Sequence, residues 1–191
     1  MKYVTRRKFL QFSATAAAVA NLKPAQLFAA GPAEKKAEIG IYVVLDPQNV
    51  DGTFKRISDL GFRSCELYTG QYGMEMSAPL QAAMKKYNMN VLALFTLGPG
   101  PTTWDFYEGQ QNIGLVCREY RDARVDAMVK LSDLAKACNI PMIETHVGYS
   151  PENPLDPNYG ETVEALRKVV EYCAKNNQDF LYHAGQESPT T

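Results

Sequence analysis

The sequence predicts an α/β chain built as the N-terminal part of a (β/α)8 barrel, about five βα units long. Three observations carry that expectation. Strand-like and helix-like segments alternate strictly from residue 39 onward, which implies a parallel sheet with right-handed crossovers. The first strand-to-helix turn, Asp46-Pro47-Gln48-Asn49, has none of the glycines that bring a pyrophosphate onto a helix N-terminus. With no P-loop elsewhere, a doubly wound nucleotide-binding sheet is disfavoured. Five strands can make an open sheet but not a barrel, which takes about 250 residues. The sequence is therefore expected to be truncated, ending at Thr191 just beyond a strand, where the next helix should begin.

Each element has its own signal. Ile39 to Leu45 is a β-branched run of the kind that forms a buried strand. Val50, Phe54, Ile57 and Leu60 then recur at helical spacing, and Gly61 supplies the stop. Ser64 to Tyr68 reads as the second strand. In the next helix Ser77 is expected to cap, Pro79 to sit in the first turn, and Leu80, Ala83, Met84 and Tyr87 to share a face. Val91 to Leu97 is the third strand, followed by a long Gly-, Pro- and aromatic-rich loop from Gly98 to about Val116. A helix over Arg118 to Ala137 follows, with Val125, Met128, Leu131 and Leu134 inside. Pro141 to Gly148 is the fourth strand. A helix over Glu161 to Lys175 should bury Val163, Leu166, Val170 and Cys173, and Asp179 to Ala184 is the fifth strand.

The chain before these elements reads as an address. Thr5-Arg6-Arg7-Lys8-Phe9-Leu10 is a twin-arginine core, an alanine-rich apolar stretch reaches Ala20, and small residues return at Ala29, Ala30 and Gly31. That is the layout of an export signal over residues 1–30, with the paired arginines pointing to the Tat route and a periplasmic destination. Residues 31–38 form a polar linker to the barrel portion, 39–191. A stable membrane anchor is not expected, because Asn21 and Lys23 interrupt the apolar stretch well short of the roughly 20 residues a span needs.

Composition narrows the partners. The 191 residues carry a formal net charge of -1, which supplies no basic face for nucleic acid. The four cysteines, Cys65, Cys117, Cys138 and Cys173, contain no C-x-x-C pair, so zinc-ribbon and thioredoxin-like spacings are excluded and buried free thiols are expected. Nothing in the composition fixes an oligomeric state.

An ordered set of motifs goes further. It comprises Gly61-Phe62-Arg63-Ser64-Cys65-Glu66-Leu67-Tyr68, Thr103-Trp104-Asp105-Phe106-Tyr107 and Asn112-Ile113-Gly114-Leu115-Val116. It continues with Ile140-Pro141-Met142-Ile143-Glu144-Thr145-His146-Val147-Gly148 and His183-Ala184-Gly185-Gln186-Glu187. Together they resemble the sugar phosphate isomerase/epimerase group of the xylose isomerase-like TIM barrels. The resemblance implies one divalent metal at the C-terminal mouth of the barrel, and proton transfer beside a sugar carbonyl through an enediolate. The metal's identity among manganese, magnesium, zinc, iron and nickel stays open.

Glu66 and His146 are the catalytic candidates, because barrel strands aim their C-terminal side chains into the site. Glu144 shares a strand face with His146 and is placed to orient it. His183 is the candidate metal ligand, standing where relatives commonly carry a glutamate; an imidazole there favours zinc, iron or nickel over magnesium. Trp104 and Phe106 in the long loop, with Gln186 and Glu187 after the fifth strand, are the substrate-binding candidates. The expected activity is that of a sugar isomerase or epimerase. The alternatives are a sugar dehydratase or lyase starting from the same proton abstraction, and a carbohydrate-binding barrel without catalysis. The 191 residues alone are expected to be inactive.

Overall fold

A computed structural model describes residues 38–103 and 112–183. The expected export signal (residues 1–30), most of the expected linker, Trp104, Phe106, Gln186 and Glu187 lie outside them. Five strands form one parallel sheet: β1 (Ile41–Val44), β2 (Ser64–Tyr68), β3 (Asn90–Phe95), β4 (Met142–His146) and β5 (Asp179–His183). They lie side by side in chain order, with no reversal of direction across the sheet. A doubly wound sheet reverses its strand order at a switch point; sequential order is that of a barrel wall.

Among the described residues four helices return the chain between strands: α1 (Val50–Asp59), α2 (Ser77–Tyr87), α3 (Arg121–Ala137) and α4 (Pro157–Lys175). The start of α1 is fixed by Asn49, whose side chain accepts the Gly52 N–H, and Gly61 beyond its end takes φ 88° as the stop requires. Ser77 does not cap α2. A short 3-10 turn (Met74–Met76) leads straight into the helix, so Ser77 is already helical and Met76 holds the cap position without a side-chain bond. α4 begins four residues earlier than expected, because Asp156 caps it by accepting the Asn158 N–H and Pro157 is suited to a first turn.

The helices cover one face of the sheet, where Phe54, Ile57, Leu67, Leu80, Leu94, Met128, Leu131, Leu134, Ile143 and Val169 are fully buried. Each such side chain contributes about 1.5–3 kcal/mol of transfer free energy. Of the expected α4 stripe, Cys173 is buried and Leu166 packs half-buried against the core, whereas Val163 is only half-buried and Val170 is exposed; Thr162, Ala165 and Val169 complete the buried stripe. All four cysteines are free, and burial pushes the Cys65 thiol up to about 12 and Cys138 to about 11. Among the described residues no helix is long and apolar enough to cross a membrane.

Candidate active site

In-register parallel neighbours share a sheet face. On the face turned away from the helices, Tyr42 stands beside Glu66 and Glu66 beside Ala93. One step toward the strand ends, Tyr68, Phe95 and Glu144 form the next row, and His146 pairs with His183 at the ends of β4 and β5. The alternation that buries Cys65, Leu67 and Ile143 against the helices thus turns Glu66, Glu144 and both histidines toward one place.

There the side chains interlock. His183 Nδ1 lies 2.7 Å from Glu144 Oε1 across the β4–β5 pair. The His146 and His183 rings are 4.5 Å apart. Phe95 packs among the surrounding rings, 5.4 Å from Tyr68, 5.8 Å from His146, 6.0 Å from His183 and 6.0 Å from Tyr42. Glu144 and His146 are buried, whereas the His183 side chain is 47% exposed, so the group opens to solvent through His183.

Glu66 is the electrostatic centre. Its Oε1 is buried with no hydrogen-bond partner. Burial, and then the charge and hydrogen bond of the adjacent Glu144, push its carboxyl up to about 7; the nearby His183 partly offsets this. Two carboxyls in contact at one site cannot both ionise cheaply, so Glu66 retains its proton up to near neutrality. Burial, and then the neighbouring charge of Glu66, raise the Tyr42 hydroxyl to about 12.

The expected candidates Glu66, His146 and His183 therefore come together, joined by Glu144. Tyr42, Tyr68 and Phe95 were missed by sequence reasoning. The signal for Tyr68 was available in the two-residue alternation, since it follows Glu66 on the same face, whereas Tyr42 and Phe95 join through strand register. The expected metal finds no complete set of ligands here. Among the described residues no three His, Cys, Asp or Glu side chains are grouped to hold an ion, although His183, held at Nδ1 by Glu144, keeps Nε2 for a ligand bond. The described residues thus supply one oriented imidazole and not a complete metal centre.

A sequence model of the family described as "Xylose isomerase-like TIM barrel" matches residues 54–190. Comparison with curated protein sequences gives no match. Among solved structures, a xylose isomerase domain protein from Planctomyces limnophilus is similar at 24% identity and TM-score 0.71, over 78% of this chain and 54% of its own. A 3-keto-D-glucoside 4-epimerase from E. coli is similar at 16% identity and TM-score 0.54, over 74% of this chain and 54% of its own. A xylose isomerase-like TIM barrel protein from Mycobacterium smegmatis, in complex with magnesium, is similar at 9% identity and TM-score 0.55, over 82% of this chain and 58% of its own. The chain spans about half the length of these structures.

Proposed function

Because this chain belongs to the xylose isomerase-like TIM barrel family, we propose that the barrel it contributes to is a sugar isomerase or epimerase in which Glu66 moves a proton beside the substrate carbonyl. The observation that carries this reading is the Glu66 carboxyl, half-buried beside Glu144 with its Oε1 enclosed, and raised to about 7. A base balanced near neutral pH takes a carbon-bound proton and returns it with little penalty in either direction.

The roles of the other residues follow from their contacts. Glu144 holds His183 by Nδ1, which leaves Nε2 to carry a lone pair when the ring is neutral and an N–H when it is protonated. His183 is thus suited to move a proton between neighbouring substrate oxygens while Glu66 acts at carbon. His146, against the His183 ring, is placed to donate to the oxygen that gains charge. Tyr42, Tyr68 and Phe95 supply the apolar side of the site. The epimerase among the similar structures supports a sugar as substrate. Export by the Tat route belongs to the same proposal; replacing Arg6 and Arg7 together by lysine should leave the protein in the cytoplasm, as fractionation would report.

The test is solvent exchange. A ketose incubated with the complete barrel in deuterated water should take up deuterium at the carbon next to its carbonyl, read by loss of the proton signal in NMR. Glu66→Gln should slow that uptake by about 10²–10⁴-fold. Undiminished uptake in this variant would remove Glu66 from the reaction. Sugar binding with no uptake by the unmodified protein would favour a binding barrel, and appearance of an unsaturated or dicarbonyl product would favour a dehydratase.

A further inference from the structure

Two arginines in the first turn of α3 do something that the proposed chemistry leaves unexplained. Arg121 and Arg124 are both buried, Arg124 almost completely at 1% exposure. A guanidinium taken out of water needs compensation for its lost hydration, commonly from a carboxylate. Arg124 instead donates from Nε to Pro99 O at 2.9 Å, from Nη1 to Gly114 O at 2.6 Å and from Nη2 to Pro101 O at 3.0 Å. All three acceptors are main-chain carbonyls, and they belong to both limbs of the loop after β3. Arg121 continues the row, donating from Nε to Leu115 O at 2.7 Å and from Nη2 to Val116 O at 2.9 Å, with Nη1 on Glu161 at 2.6 Å. The limbs are also tied to each other, since Asn112 Oδ1 accepts from the Thr103 N–H and its Nδ2 donates to Thr103 Oγ1.

The limb that Arg124 holds is seated on the active-site strand. Gly114 (φ 72°) lies so close to the end of β4 that a Cβ there would overlap the Val147 carbonyl and the Gly148 nitrogen. Gly148 (φ 88°) is equally close from the other side, where a Cβ would overlap the Ile113 carbonyl. Only glycines permit both this backbone sign and this approach. Val116 N–H then donates to Val147 O at 2.9 Å. Val147 directly follows His146, whose chain is held on its other side by Thr145 Oγ1 donating to Thr96 O at 2.7 Å.

We infer that Arg124 is a positioning residue for His146, acting through Gly114 and the Val147–Gly148 backbone on which that glycine rests. An apolar residue at this position could fill the volume, but it could not fix three carbonyls from two limbs at once; a planar fork of five donors can. The small adjustments that proton transfer does not tolerate are those at the end of β4, and this contact limits them. The inference rests on the proposed function only in counting His146 as part of the site.

The test reads the imidazoles, so it can fail while the proposed activity stands, and the reverse. The chain has two histidines, both in the site, so histidine-labelled full chain gives two sets of ring resonances, assigned with His183→Gln. Arg124→Lys retains the charge but loses the fork, and Gly114→Ala places a methyl against the β4 backbone while leaving the arginine intact. Both variants should move the His146 ring resonances and speed exchange of the Val116 amide, with helical circular dichroism retained. Gln178→Met breaks a buried hydrogen bond to Ser132 O (3.0 Å) at the other end of the strands; it should lower the melting temperature and leave the His146 signals in place. Unmoved His146 signals in both folded variants would overturn the inference. So would equal movement in Gln178→Met, which would mark a general loosening of the fold.

Discussion

Glu66 is a residue whose ionisation the fold resists, and this has two consequences of opposite use. For catalysis the carboxylate is the working form, so the proposed proton abstraction should gain rate as pH rises through about 7. A pH–rate profile checks this, and a limb near the ordinary value of 4.5 would contradict it. For stability the sign is reversed. The folded pKa lies above the unfolded one, so the contribution is fully present below about 4.5 and is lost as pH rises through about 7. The shift alone would set an upper bound of about 3 kcal/mol, and solvent screening of a partly exposed group cuts it to about 1–2 kcal/mol. Glu66→Gln should flatten that part of the curve of melting temperature against pH. Much of this site was legible in the residues, because a strand-end Glu or His in a βαβ chain has one face to occupy. The partnership was not. Spacing puts Glu144 and His146 on one face of β4, but the β4–β5 register decides that Glu144 reaches His183, and register depends on the whole sheet.

The helices end by one device repeated four times. Gly61, Asn88, Asn139 and Asn177 all take positive φ beyond a helix, and each is followed by a residue whose N–H returns to the last turn: Phe62 to Ile57, Met89 to Met84, Ile140 to Ala135 and Gln178 to Cys173. Glycine announced the first of these; three asparagines did not, since asparagine also fits turns and caps. Asn177→Ala should cost about 1 kcal/mol in chemical denaturation and Asn177→Gly almost nothing, because only the Cβ without a local polar partner is penalised in the left-handed region. Equal cost for both would mean that the asparagine side chain, rather than the backbone, matters there. Helix faces were legible where large residues face the core, as on α3. On α4 they were legible only in part: of Val163, Leu166, Val170 and Cys173, Cys173 is buried and Leu166 packs half-buried, whereas the helix otherwise packs through the smaller Thr162, Ala165 and Val169. Val169→Asp should therefore abolish folding or cost more than about 3 kcal/mol, and Val170→Asp should change stability by less than about 0.5 kcal/mol. The reverse order would restore the stripe read from periodicity.

At the scale of the molecule, a wall of five parallel strands presents β1 and β5 as its edges among the described residues. Such edges offer unpaired backbone groups to any strand that can reach them, and proteins commonly protect them with charge, proline or a covering element. β1 has none of these within it: Ile41-Tyr42-Val43-Val44 is uncharged, and Tyr42 and Val44 are 50% and 57% exposed on the face away from the helices. β5 is different, since it begins at Asp179 and ends at His183. The asymmetry makes β1 the adhesive edge. The 191-residue chain should self-associate at micromolar concentration, read as a concentration-dependent sedimentation coefficient, and Val44→Lys should shift it toward monomer. The lysine stem can lie along the sheet while its ammonium stays in water, so helical circular dichroism should be unchanged. Ala82→Lys adds the same charge at an exposed position of α2, outside the strand, and should leave association as it was. If both lysines disperse the chain equally, net charge rather than the β1 edge governs association; if the unmodified chain is monomeric throughout, that edge is already protected.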